Sequence, residues 1–331
     1  AYAAIPALGY YLLAGVMVYL EARKQGLGAI PKDQLPNTWE VFKNGFYFLV
    51  PIVFIVYMMA EGNSAMKAGF YAILLSIALS FIRKANRLNF LNLLVCLEKG
   101  ARSGLSVIAA CAAAGIIVGA ISLTGLGMRF SRFAVEVSGD NLLVLLFMMM
   151  IASLVLGMGM PTTPAYIILA VLGAPVLIKM GVLPIAAHLF VFYFGIISGL
   201  TPPVAITAYT AAGVAGSDPT ETGMYATKLA LGGFLLPFMF VYNPALLLQS
   251  DNVLFIIQAA LTTLMGCIAF ATAIQGFAIT RLNMFERASF VIASGMFFHP
   301  GTVTDILGLV LIFVVAFFHW QRSAKLQHVM Q

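Results

Sequence analysis

Two short stretches set hydroxyl side chains beside residues that break helices, inside otherwise apolar sequence. The first holds Gly157, Gly159, Pro161, Thr162, Thr163 and Pro164; the second holds Ser198, Gly199, Thr201, Pro202 and Pro203. Consecutive prolines remove two backbone donors and clash with the preceding turn, so no continuous helix passes 202–203. In an apolar layer, irregular backbone survives only where protein buries it or where it lines a polar cavity. Freed carbonyls at helix C-termini suit a desolvated cation such as Na+, and half-helix N-termini suit an anionic group. Thr162, Thr163, Ser198 and Thr201 bring hydroxyls to these breaks, and Gly157, Gly159 and Gly199 permit close backbone approach. Either break alone is equally well read as a kink between packed helices. Two of them, ~40 residues apart and each flanked by hydroxyls, favour a binding site.

Other residue types offer less. His188 reads as packing or hydrogen bonding at the start of a helix, and His299, His319 and His328 show no metal spacing. Asp140 and Asp218 read as helix caps. Cys96, Cys111 and Cys267 form no CxxC pair and read as small reduced apolar residues. The seventeen Met and twenty-six Phe read as core and lipid-facing filler. No intramembrane acid–base dyad, HExxH, GxSxG or P-loop pattern is present, so a catalytic group for an embedded enzyme is not visible.

The elements that must position the two breaks are membrane helices. Of 331 residues, 62% are hydrophobic and 9% charged, with mean hydropathy +1.00. Soluble domains carry about 25% charged residues, so no soluble fold accommodates this chain. The apolar runs reach the roughly 20 residues that a spanning helix needs and lack the period-two alternation of barrel strands. The fold class is therefore all-α, a polytopic transmembrane bundle. The net charge of +6 gives no support to nucleic-acid binding; basic residues flank the apolar runs and orient them.

Spans are predicted at 3–20, 46–60 and 65–82, the last two as a tight hairpin around Glu61, Gly62, Asn63 and Ser64. The 83–102 stretch, with five basic residues and one acid, places Phe90, Leu93, Leu94 and Leu97 opposite Arg87, Asn92 and Lys99. That spacing predicts an amphipathic helix on the membrane surface, cytoplasmic like the 21–44 loop. A span over 104–124 follows, with Gly115-x-x-x-Gly119 as a close-packing signal, then an external segment over 125–140. Limbs of about 14 residues around the 157–164 tip predict a re-entrant hairpin, and 188–216 predicts a span discontinuous at 198–203. Asp218, Pro219 and Glu221 predict a helix start with a capping box. Spans over 227–248 and 253–273 follow. A break at 299–301 divides 290–298 from 306–319; if these pair, Arg281, Arg287, Arg322 and Lys325 share one side.

At these residues a family resemblance emerges. Gly157 to Ala165, then Pro175, Gly181, Pro184, His188 and Gly199 to Val204, resemble the large membrane subunit of tripartite ATP-independent periplasmic (TRAP) transporters. The stretches from Ala186 to Phe194, Ala211 to Pro219 and Tyr242 to Leu246 look like the TAXI-type fused permeases. So do Ala4 to Tyr11 and Glu21 to Lys24. The resemblance implies a Na+-coupled importer of small organic acids in the bacterial inner membrane, with an elevator-like transport domain of inverted repeats. A periplasmic substrate-binding protein delivers the substrate, and a small four-helix membrane subunit is fused or separate. Na+ is the coupling ion and no further cofactor is implied. By position, 157–164 and 198–203 match the second repeat, with Gly159, Thr162, Thr163, Ser198 and Thr201 around Na+ and the remaining residues of both breaks in the substrate site.

The matching organisation is membrane helices and an amphipathic helix over 1–103, a transport repeat over 104–216 and C-terminal helices over 217–331. The chain begins at Ala1 on residues that already read as membrane helix, without an initiator Met or signal pattern. It therefore reads as a C-terminal portion whose first repeat lies upstream, and alone it is expected not to transport. A channel or a structural membrane subunit is the alternative from another class; an embedded enzyme ranks third.

Overall fold

A computed structural model describes residues 2–28, 31, 35–81, 89–297 and 301–329. Lys32, Asp33, Arg83, Arg87, His299 and Pro300 lie outside the described residues, as do the side chains of Lys325 and His328. The described residues are helical, apart from turns, loops and one isolated bridge between Phe277 and Arg281. Six helices among them are long and apolar enough to cross a membrane. The chain forms two compact units, Ala1–Leu27 with Val107–Gln331, and Gly28–Ser106.

The larger unit begins with α1 (Ala4–Lys24), which buries Leu13, Met17 and Leu20. In the smaller unit, Asn37 caps α2 (Thr38–Gly45) by accepting from Trp39 N. A 3-10 turn at Phe46–Phe48 then leads into α3 (Val50–Ala60), with a 49° bend between the two helical stretches. The predicted hairpin forms: Gly62 turns at φ 81°, and Ser64 caps α4 (Ala65–Ser80) through Lys67 N. The predicted surface helix and the following span are, from Phe90 onward, one helix, α5 (Phe90–Thr124). Gly100 and Gly104 lie within it; a mid-helix glycine costs only ~1 kcal/mol, and no proline interrupts. A Cβ added at its Gly115 or Gly119 would meet nothing within 4 Å among the described residues. Small residues permit close packing of helices but do not by themselves create it.

In the larger unit the 125–140 segment holds a helix, α6 (Leu126–Ser138), with Ser131, Ala134 and Ser138 on its buried face. The N-cap that follows is Asn141, not Asp140. Asn141 accepts from Leu143 N and Val144 N, while Asp140 takes a left-handed turn at φ 58°, a conformation that Asp tolerates better than most residues. The hairpin limbs are α7 (Leu142–Gly157) and α8 (Thr162–Leu172), the latter continued by α9 (Ala174–Lys179). α6 packs against α7, α8 and α9. The start of α7 lies just after α6 in sequence, and α9 ends the second limb, so the hairpin enters and leaves at one end. The 16-residue limb falls short of a span, whereas Thr162–Lys179 reaches 18 residues because its helix starts at Thr162, earlier than the apolar run.

α10 (Pro184–Ile197) is the central post. Phe190, Val191 and Phe194 are fully buried, between Leu145, Leu146 and Met149 of α7 and the later helices. After the break come α11 (Ile206–Ala215) and α12 (Pro219–Ala230), then a 3-10 turn at Leu231–Phe234 and α13 (Leu235–Tyr242). Phe234 and Phe238 join Phe147, Phe190 and Phe194 in edge-to-face and tilted contacts with centroids 5.0–6.0 Å apart. Asp218 caps α12 through Glu221 N at 2.8 Å. The exposed Glu221 makes no return bond to Asp218 N, so the predicted box is only half formed. A carboxylate in water gains little from a further neutral donor.

α14 (Val253–Gln275) packs against α1, and the pair α15 (Met284–Met296) and α16 (Thr302–Val329) form a hairpin beside it. A complete capping box sits at Asn283 and Glu286. Glu286 is buried and also meets His319 Nδ1 at 3.2 Å and Arg322 Nη2 at 3.0 Å. Arg322 donates to Arg281 O at 2.6 Å, which brings these two residues to the same end of the hairpin.

Candidate functional site

The tip and the break, ~40 residues apart in sequence, meet in space. A Cβ on Gly157 would lie 2.6 Å from Gly195 O and 2.6 Å from Ser198 Oγ, so only glycine allows α7 to end against the end of α10. Gly159 turns the tip at φ 74°, and a Cβ added there would lie 3.5 Å from Val204, beyond the break. Two interrupted helices thus share one junction, formed by the last turn of α7, the first turn of α8 and the 3-10 turn Ser198–Leu200 that ends α10.

Each element end leaves different groups there. α8 has Pro161 at its N-cap position and no side-chain cap. The positive end of its dipole and the first-turn N–H groups of Thr162 and Thr163 therefore stay available. Pro164, in the same turn, lacks an N–H and is buried. The Thr162 and Thr163 hydroxyls are exposed and, among the described residues, have no hydrogen-bond partner. Pro161 is exposed beside them. Uncapped donors and free hydroxyls can bind either an anionic group or, through the hydroxyl oxygens, a hard cation.

The break is more tightly occupied. Ser198 is 1% exposed and donates to Gly195 O at 2.6 Å, so its hydroxyl stitches α10 to its own last turn beneath Gly157. Thr201 donates to Ile197 O at 3.0 Å. Gly199 O accepts from the Thr207 hydroxyl, Leu200 O from Thr227 at 3.1 Å and Pro203 O from the Tyr209 hydroxyl at 2.9 Å. Each carbonyl keeps a second lone pair, and the hydroxyl oxygens remain acceptors. Pro202 and Pro203 are joined by a cis bond, and Pro202 packs on Gly223 of α12 with 3.5 Å to its would-be Cβ. The oxygens are neutral, hard and numerous, a donor set that fits Na+ without a carboxylate.

Gly195, Thr207, Tyr209, Gly223 and Thr227 were not singled out from the sequence. Four of them buttress the break from α11 and α12, and only Gly195, three residues before Ser198, carried a readable close-packing signal. His188 accepts or donates at Nδ1 to the Tyr166 hydroxyl at 3.1 Å, tying α10 to α8 as a hydrogen-bonding residue. Among the described residues no group of three or more His, Cys, Asp or Glu could hold a metal. Cys267 is buried against Met239 Sδ at 3.8 Å, in keeping with a small apolar role.

No curated protein and no solved structure matches this sequence. A family model does, the one described as the tripartite ATP-independent periplasmic transporter, DctM component, over residues 1–255. That match covers more than half of the 331 residues and includes both breaks and every helix that supports them. The chain is a multi-pass membrane permease of the TRAP class, belonging to the DctM component family.

Proposed function

We propose that this permease works as part of a Na+-coupled secondary importer of small organic acids in the bacterial inner membrane, fed by a periplasmic substrate-binding protein and joined by a small four-helix membrane subunit. The observation that carries this reading is the junction of Gly157 with Gly195 and Ser198, where two interrupted helices meet. Na+ sits among the oxygens of Gly159, Thr162, Thr163, Ser198 and Thr201, while the uncapped start of α8 faces the carboxylate. Residues 104–216 form the moving repeat, and 1–103 and 217–331 flank it. On the same reading the permease is of the TAXI type. A second hairpin-and-break unit completes the site, so vesicles containing this chain alone show no uptake.

Na+ binding is the first test. NaCl, but not KCl at equal ionic strength, raises the Tm of the purified protein, since a ligand that binds only the folded state stabilises it. Thr162→Ala with Thr163→Ala abolishes that difference. Equal stabilisation by both salts sinks the Na+ assignment. Saturable, binding-protein-dependent uptake by the completed assembly supports a carrier, whereas ionic current without a binding protein identifies a channel.

A further inference from the structure

A second polar site lies at the hairpin's open end, away from the tip. A groove of ≈ 470 Å³ is enclosed by the end of α5, the start of α6 and the α8–α9 limb. Arg132 and Lys179 both line it, and no Asp or Glu does. Neither cation has an ion-pair partner among the described residues. Ser131 lines the same groove; it is 7% exposed, and its hydroxyl has no hydrogen-bond partner among the described residues. Gly125, the N-cap of α6 at φ 63° and without a side-chain cap, and Gly127 in its first turn also line the groove, so the positive end of the helix dipole lies at it.

A guanidinium, an ammonium, an unpaired hydroxyl and an uncapped helix start border one groove with no carboxylate in its lining. The Ser131 hydroxyl opens onto the groove and is free to donate to an acceptor ligand there. Tetrahedral phosphate oxygens match this donor set, and arginine engages them in bidentate fashion. The surroundings select the source. Leu123, Leu126, Met128 and Phe133 beside the groove are all more than half exposed, with Leu123 at 91%. In a membrane permease such side chains face acyl chains, and basic pockets between membrane helices hold anionic headgroups.

We propose that this groove binds the phosphate of an anionic phospholipid, held by Arg132, Lys179, Ser131 and the start of α6. The bound headgroup braces α6 against the α8–α9 limb, at the end opposite the transport junction. The proposal is independent of which ion or substrate the junction carries.

The test uses the full chain, delipidated in detergent and titrated with phosphatidylglycerol or phosphatidylcholine under native mass spectrometry. One tightly held phosphatidylglycerol is expected, with phosphatidylcholine at least tenfold weaker. Arg132→Gln with Lys179→Gln lowers phosphatidylglycerol affinity about tenfold or more, since each basic residue contributes separately. Arg129→Gln, on the same helix but outside the groove, leaves it unchanged. Lys179→Gln alone, at an exposed helix end, gives a loss of about threefold should the double variant not fold. Equal affinity in wild type and variants, or equal loss in Arg129→Gln, overturns the site. Displacement of the lipid by inorganic phosphate at the same concentration overturns the lipid as its source.

Discussion

A methyl group added at Gly157 has no room, and the neighbours decide how much that matters. Two of its contacts, Gly195 O at 2.6 Å and Gly195 Cα at 3.0 Å, are backbone and cannot move without shifting α10. Gly157→Ala is therefore expected to cost ~1–3 kcal/mol and to abolish Na+-dependent stabilisation. Gly195→Ala meets only Leu169 Cδ1, at 2.6 Å, the far end of a flexible side chain, and is expected to cost less. Thermal unfolding of the two variants in one detergent checks the order. Ser198→Ala removes one buried hydrogen bond, worth about 1 kcal/mol. The residue types of the site were legible because hydroxyls, glycines and prolines stand out in apolar sequence. Their division of labour was not. Thr162 and Thr163 present free hydroxyls, whereas those of Ser198 and Thr201 are already committed to Gly195 O and Ile197 O.

Helix ends, more than helix lengths, account for how the larger unit holds together. The C-terminal carbonyls of α14 are met by cations from two other elements: Arg287 Nε donates to Ala273 O at 2.9 Å and Lys24 Nζ to Gln275 O at 2.7 Å. Positive charge at a helix C-terminus is favourable, and charged donors make the stronger hydrogen bonds. Arg287→Met is expected to lower stability by ~1.5–3 kcal/mol. Asn283→Ala, which breaks the capping box of α15, is expected to cost about 1 kcal/mol. Thermal or denaturant unfolding separates the two, and a silent Arg287→Met would remove the capping account of α14. Sequence periodicity located most helices but left one segment without an assignment and misjudged one connection. The segment 125–140 became α6, whose buried face is made of serine and alanine and carries little hydrophobic signal. The helix from Phe90 runs on through Gly104, because glycine weakens a helix without stopping it.

At the scale of the larger unit, α1 is clasped to helices far along the chain. Lys228 Nζ meets Glu21 Oε2 at 2.8 Å, and Gln275 Nε2 donates to Met17 O at 3.2 Å. Tyr193 donates to Gly233 O at 2.7 Å, with the ring of Tyr10 packed edge-on against Tyr193 at 6.0 Å. Lipid is as apolar as a leucine side chain, so packing and such polar ties, not burial, drive association of membrane helices. Glu21→Gln, which leaves Lys228 without its carboxylate, is expected to cost ~1–3 kcal/mol with the secondary structure intact. Loss of the near-ultraviolet signal at lower temperature, with far-ultraviolet ellipticity unchanged, would show it.

Composition alone determined that this chain lives in a membrane as helices, because no arrangement of 9% charged residues covers a soluble surface. Local chemistry determined where those helices break, because proline and glycine act on their own backbone whatever surrounds them. Only the tertiary structure decided that Gly157 seats against Gly195 and Ser198, that Thr207, Tyr209 and Thr227 hold the broken backbone, and that Arg132 and Lys179 share a groove. The physical reason is range. Helix formation and breaking are set within one or two turns of chain, whereas a site is set by which ends pack together, and apolar periodicity in a membrane protein does not say which helix faces which.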